Sequence, residues 1–297
     1  MALTAGAIQA GPSPKAKGPK FSEAKAFDVS KPLKDLAKTA KPSGAKPTAG
    51  PPGSDRGPVV EGGTTSASYR KSAVRARSAA AQAQTTLSSI PSPLLTFEGL
   101  SNEDNRALFG FRVAPPDPVG DVGPNHYVEM VNLAFAVYDK QGNLLLGPAA
   151  IGSLWDGFAV EDCTDPSGDP VVLYDQFVDR WILTQFTTRG LDPATPEAPF
   201  YDCVAISMTG DPTGSYYRYA FVTQPDEQDG GYFFPDYPKY GVWTDSYVLT
   251  TRDFGFDNRY GISVYALEKN KMVNGDPKAR AVQFFLEEGD VPLATIG

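Results

Sequence analysis

The chain has 297 residues, 41% of them hydrophobic, and a formal net charge of −8, which is length enough for one large domain or two ordinary ones. The charge is unevenly placed: residues 1–90 carry 14 Lys and Arg against 5 Asp and Glu, and residues 91–297 carry 13 against 30, so the larger segment repels nucleic acid. No stretch approaches the roughly 20 apolar residues of a membrane-spanning helix, and two cysteines with a single histidine exclude the common zinc patterns.

Residues 1–90 are rich in Ala, Pro, Gly, Ser and Lys, with aromatics only at Phe21, Phe27 and Tyr69. Such a composition buries too little apolar surface to offset chain entropy, and it predicts a disordered basic leader or linker. Its lysines are scattered among Pro and Gly ("PSPKAKGPK") without interleaved aromatics, the pattern of a solvated linker rather than a nucleic-acid-binding arm. "MALTAGAIQA" has no basic n-region and only a short apolar run, so it does not read as an intact signal peptide. Residues 72–87 suit a short Ala-rich helix that the following Ser, Thr and Pro end.

From Phe97 onward, period-two alternation is broken by Gly, Pro, Asp and Asn, which predicts strands and turns. Ala134–Asp139 and Leu144–Leu146 flank a turn at Lys140–Asn143. "PVVLYDQFVDRWILTQF" turns at Phe177–Arg180, "CVAISMTGDPTGSYYRYAF" at Gly210–Gly214, and "YPKYGVWTDSYVLTTRDF" at Trp243–Ser246, before a further strand in "GISVYAL". No long amphipathic helix follows residue 97; the nearest is "LEKNKMVNGDP", about two turns ending at Asn274-Gly275. Residues 91–297 therefore read as an all-β body.

The hairpins repeat. A Gly-Asp or Pro-Asp element leads into "PVGDVGPNHYVEMVN", "GDPVVLYDQFVDRWILTQ" and "FPDYPKYGVWTDSYVLT", with steps of 48 residues from Asp121 to Asp169 and 67 from Asp169 to Asp236. Units of this size, each two hairpins, are the signature of propeller blades, because one four-stranded blade cannot bury both faces alone. Two-sheet sandwiches use strands at similar spacing. The predicted architecture is β-propeller-like: a partial or small ring of about three to four blades, where closed rings have about four to eight. An incomplete ring, with the chain stopping at "VPLATIG" as in a truncated body, is expected to expose a blade face and self-associate.

Cys163 and Cys203 lie at loop–strand junctions in "EDCTDPSGD" and "FYDCVAI", and they read as a disulfide in an oxidising compartment or as two buried thiols. Glu161, Asp162, Asp165 and Asp169 are hard oxygen donors close together, the type Ca²⁺ takes, although their spacing is not an EF-hand; the alternative is a solvated turn. "MTGDPTGSYY" is similar to a structural Asp-box turn with one extra residue. His126, beside a strand in "PNHYVEM", reads as a packed or capping imidazole. Asp121, Asp169 and Asp236 each precede a blade-leading strand, so they are expected to converge at a channel mouth and bind Ca²⁺ or a cationic ligand group. Tyr237 and Trp243 join them as ligand-binding candidates, and Asp175 and Asp179 shape the hairpin turn between them. The dense aromatics from Tyr201 to Trp243 either stack on sugar rings or fill the space between blades.

"APPDPVGDVGPNHYVEMVNLAFAVYDKQGNLLLGP", "GDPVVLYDQFVDRWILTQF", "SMTGDPTGSYYRYAF" and "FPDYPKYGVWTDSYVLTT" resemble motifs of a family of uncharacterised bacterial exported proteins with a predicted β-propeller body. The resemblance spans about residues 94–290. It implies a secreted or cell-surface propeller and no particular reaction. Two functional readings follow. One is a non-catalytic binding or scaffold module whose partner is an extracellular glycan or protein. The other is a sialidase- or lyase-like glycoside-processing enzyme with carboxylates in a central funnel, which would need arginines clustered for an anionic substrate from among Arg180, Arg189, Arg218 and Arg252. No G-x-S-x-G elbow, H-E-x-x-H pair or Walker loop is present, which favours the first.

Overall fold

The computed structural model describes residues 17–39, 92–165, 167–195, 198–223, 233–255 and 259–287. Within them the chain is mostly β and builds three antiparallel sheets, each on a meander of four consecutive strands. The first meander is β3 (Val119–Val122), β4 (His126–Val131), β5 (Ala134–Asp139) and β6 (Leu144–Ala150). The second is β7 (Val171–Asp175), β8 (Arg180–Phe186), β9 (Tyr201–Ser207) and β10 (Tyr216–Val222). The third is β11 (Phe233–Val242), β12 (Ser246–Gly255), β13 (Tyr260–Glu268) and β14 (Arg280–Glu287). None closes on itself. The leading strands are neighbours: β3 lies against β7, and β7 against β11.

The sheets stack in chain order, and the middle one is covered on both faces. One of its faces sends Val172, Trp181, Leu183, Cys203 and Ala205 against Val128, Met130, Phe135 and Val137 of the first sheet. The other sends Ile182, Val204, Ile206 and Phe221 against Tyr247, Leu249, Tyr265 and Leu267 of the third. All seven residues of β9 are consequently buried, and its sequence is a near-continuous apolar run rather than an alternating one. Strand β13 alternates strictly between buried and half-buried residues, as a sheet with only one packed face should.

Residues 17–39 are ordered, which corrects the composition-based expectation of a leader disordered over residues 1–90; the remainder of that segment lies outside the described residues. β1 (Lys17–Glu23) pairs with β14 on the third sheet, and β2 (Ala26–Val29) pairs with β10 on the second. The short helix α1 (Leu33–Thr39) then buries Leu33 and Leu36 beside β6 of the first sheet. Arg218 of β10 grips Asp28 in a fork, Nε to Oδ1 at 2.7 Å and Nη2 to Oδ2 at 2.6 Å. Composition misses this strap because its few apolar groups find partners only on sheet edges built by residues about 190 positions later.

A second segment missed in the sequence seals the first sheet. Helix α2 (Asn102–Phe109) starts with a capping box between Ser101 and Asp104 and ends on Gly110 at φ 83°, both standard helix-end devices. Before it, Phe97 packs on Tyr127 and Tyr138 at 5.9 and 5.2 Å between ring centroids. After it, Phe111 and Val113 bury Leu133. Of the two turns expected in "LEKNKMVNGDP", Lys269–Val273 forms the short helix α3, and Leu267 and Glu268 end β13.

The turn of the β7–β8 hairpin is tied to the third sheet by a fully buried ion pair. Asp175 accepts from Phe177 N at 3.0 Å, as a turn-shaping residue does, and also meets Lys269 Nζ at 2.7 Å and the Tyr247 hydroxyl at 2.9 Å. Lys269 donates additionally to Trp243 O at 2.8 Å. Asp175 therefore does more than shape its turn. Cys163 and Cys203 form a disulfide with Cα atoms 5.9 Å apart, fixing the loop before β7 to the central strand β9.

Candidate functional site

The first two leading strands are entered through residue–proline corners, Asp117-Pro118 and Asp169-Pro170, and β11 makes a third, Tyr237-Pro238, at its mid-strand bulge. The residues before these prolines stand at φ 38°, 42° and 53°. Positive φ is costly for a residue with a Cβ, and a following proline narrows its choices further. Three such corners, on the order of 1–3 kcal/mol each, persist only where surrounding contacts impose them.

The contacts that impose two of them converge on Asn132, in the tight β4–β5 turn. Its Nδ2 donates to Asp117 Oδ2 at 2.6 Å and to Pro115 O at 2.8 Å, while its Oδ1 accepts from Asp169 N at 2.7 Å. Asn105 of α2 in turn donates to Asn132 O at 2.5 Å. One buried carboxamide thus sets the first two corners side by side, using both its donor and acceptor capacity.

The three corners line one cleft of about 440 Å³, walled by Asp117, Pro118, Val119, Asp169, Pro170, Val171, Leu173, Tyr237, Lys239 and Tyr240. Its volume lies in the range of small-molecule sites. The polar groups are two carboxylates, one ammonium and two phenols, set on apolar strand residues. Lys239 Nζ stands 3.4 Å above the centre of the Tyr237 ring, a cation–π contact that orients both. The Tyr240 hydroxyl is buried beneath the cleft beside the Asp202 carboxyl of β9. Asp202 is 1% exposed, and burial pushes its carboxyl up to about 8 while the Tyr240 hydroxyl opposes the shift. Beyond it Asp253, also fully buried, is pushed up to about 7 by burial against donation from Ser263 Oγ and Thr251 Oγ1.

The chain matches no protein-family model, no curated protein and no solved structure. The family resemblance drawn from the sequence rests on the quoted motifs.

The expected ligand residues are divided. Asp169 and Tyr237 line the cleft. Asp121 lies four residues into the leading strand from its corner and ties that strand to its neighbour, accepting from Tyr174 N of β7 at 2.7 Å and from its own Val122 N at 2.7 Å. Asp236 is fully buried and stands opposite Arg252 in the β11–β12 ladder. It adjoins Tyr237, but β11 bulges between Asp236 and Lys239, and of the two neighbours only Tyr237 lines the cleft. Trp243 is exposed at the β11–β12 turn and does not line the cleft. Among the described residues no group of three or more His, Cys, Asp or Glu is placed to hold a metal, so the expected Asp121–Asp169–Asp236 calcium rim does not assemble there. The second acidic candidate is internally paired: Arg189 meets Asp162 Oδ1 at 2.9 Å and Asp165 Oδ2 at 3.0 Å. Asp211 is a turn builder, accepting from Thr213 N at 2.9 Å, and His126 opens β4.

The missed cleft residues are Asp117 and Lys239, with Asn132 and Asp202 supporting them, while Tyr240 belongs to the dense aromatics between Tyr201 and Trp243. A signal was present: "DPV" occurs at both 117–119 and 169–171, with "YPK" at 237–239. These prolines mark the cleft-lining corners more closely than the aspartates of "GDV" and "PDY" do. Of the four arginines only Arg252 comes near the cleft, its guanidinium carbon 5.8 Å from the centre of the Tyr237 ring. Arg218 is committed to Asp28, Leu154 O and Asp156 O, Arg180 to carbonyls of its own turn, and Arg189 to the Asp162–Asp165 pair.

Proposed function

We propose that this chain is a non-catalytic binding module of the secreted or cell-surface kind, its three meanders acting as consecutive propeller-type blades and its ligand a glycan held in the cleft between their leading strands. The observation that carries the reading is the convergence of three positive-φ residue–proline corners, two of them bearing carboxylates and the third a Tyr–Lys pair, on one cleft of about 440 Å³. Carboxylates at the mouth are acceptors for sugar hydroxyls, an aromatic ring suits an apolar C–H face, and the strained corners hold these groups in place before a ligand arrives. Adjacency of β3, β7 and β11 supports the blade arrangement, and the disulfide is compatible with an oxidising compartment. The dispersal of Arg180, Arg189 and Arg218 onto structural partners leaves Arg252 as the one of the four arginines beside the cleft, which favours binding over sialidase-like chemistry.

A glycan array run beside a panel of chromogenic glycosides tests the proposal. Binding without turnover is expected, weakened at least about tenfold by Asp117→Asn with Asp169→Asn, a loss of about 1.4 kcal/mol, and unaffected by Trp243→Ala. Turnover lost in the double variant would replace this reading with an enzymatic one; glycan binding indifferent to the double variant would remove the cleft from it.

A further inference from the structure

The two ends of the sheet stack are finished differently. The outer face of the first sheet is sealed by the chain itself: Phe97 covers Tyr127 and Tyr138, Leu100 N donates to Glu129 at 2.9 Å, and Ala134 and Ala136 are fully buried. The outer face of the third sheet has no such cover among the described residues. Val248 of β12, Ile262 and Val264 of β13, and Val282 of β14 are only half-buried there, while Phe284 is 40% and Phe21 of β1 63% exposed. Ladder pairing places these side chains together: Val264 opposes Phe284, Val282 opposes Phe21, and Ile262 stands two residues along the same face. Scattered exposed apolar residues are ordinary, but a contiguous patch across the four strands β1, β14, β13 and β12 marks an interaction surface.

We propose that this outer face of the β1–β14–β13–β12–β11 sheet docks a second copy of the chain, face to face about a two-fold axis. Its size fits that occupant. Five strands about 4.8 Å apart, paired over about seven residues, present about 550 Å² per copy and about 1,100 Å² over a pair, near the lower bound of specific interfaces and above most incidental ones. Its layout fits as well. The apolar centre is rimmed by charge, with Arg252 towards one strand end, the Glu268–Arg280 ion pair at the other and Lys239 on the β11 edge level with Val264, the usual anatomy of an interface core and rim. A two-fold axis running across the strands lays the Glu268 end of each face over the Arg252 end of its mate. The centre is also self-complementary: β13 is the middle strand of the five, and Val264 is its middle residue, so an isologous contact brings the two copies of Val264 together. The face meets the cleft only at its β11 edge, where Lys239 belongs to both, and the inference stands whatever the cleft binds.

Sedimentation velocity of the full chain over about 1–100 µM tests it, and a reversible dimer with micromolar dissociation is expected. Val264→Lys, which buries an unpaired charge at the centre, should weaken association at least about tenfold with an unchanged circular dichroism spectrum. Val264→Cys provides a second readout that survives if the lysine variant misfolds. Because Cys163 and Cys203 are already joined, mild oxidation should give a single disulfide-linked dimer on a non-reducing gel. A wild type that remains monomeric at about 100 µM overturns the proposal, a concentration well above a micromolar dissociation constant. So does a dimer that ignores Val264→Lys, or a folded Val264→Cys variant that does not cross-link.

Discussion

Asp202→Asn is expected to stabilise the protein at neutral pH, by an amount that grows with pH. Asp202 sits in the middle of the middle sheet, 1% exposed, with burial holding its carboxyl at about 8, against about 4 in an unfolded chain. Below about pH 4 both states hold the proton, and the neutral acid folds without penalty. Between about 4 and about 8 only the folded state holds it, so stability falls by about 1.4 kcal/mol per pH unit as the unfolded chain gains from ionising. At pH 7 roughly three such units have accumulated, about 4 kcal/mol, which asparagine escapes because it does not ionise in either state. The additional N–H of the carboxamide, if unpaired, takes back about 1 kcal/mol or more. Urea denaturation of wild type and variant at pH 4, 5.5, 7 and 8 gives the comparison. The stability difference should widen monotonically from pH 4 to pH 8. A difference that is flat across this range would show that Asp202 is ionised in the folded protein and refute the reasoning.

Breaking the buried Asp175–Lys269 pair by Lys269→Met should cost about 3–5 kcal/mol, because Asp175 is left as an uncompensated buried charge, whereas adding Asp175→Leu should recover much of the loss; equal additive losses in a double-mutant cycle would contradict this. Deleting residues 1–39 removes both outer strands and the buried Leu33 and Leu36, and a fall in melting temperature on the order of 10 °C is expected by scanning calorimetry. An unchanged melt would make the strap an accessory. Reducing Cys163–Cys203, which spans 40 residues, should cost about 2–4 kcal/mol in the chain-entropy account, measured by denaturation with and without reductant.

The sequence by itself determined the all-β body, its hairpins and the order of its strands, because alternation, turn residues and the Gly–Pro punctuation are local properties. "PVVLYDQFVDRWILTQF" folds as the hairpin its pattern dictates, and Cys163 and Cys203 meet as their positions at strand ends allow. What only the tertiary structure decided were relations across long separations. Residues 17–39 look like linker until the free edges of β10 and β14 supply backbone partners. The cleft was half legible: Asp169 and Tyr237 lie where the repeat placed them, but Asp121 and Asp236 do not. A carboxylate before a strand carries no mark of whether it faces a cleft, a neighbouring strand or the core. The proline-bounded corners and the bulge between Asp236 and Lys239 settle that. Lys239, Asn132 and Asp202 escaped notice for the same reason: a lone polar residue in an apolar strand acquires its role from the side chains that the other sheets place beside it.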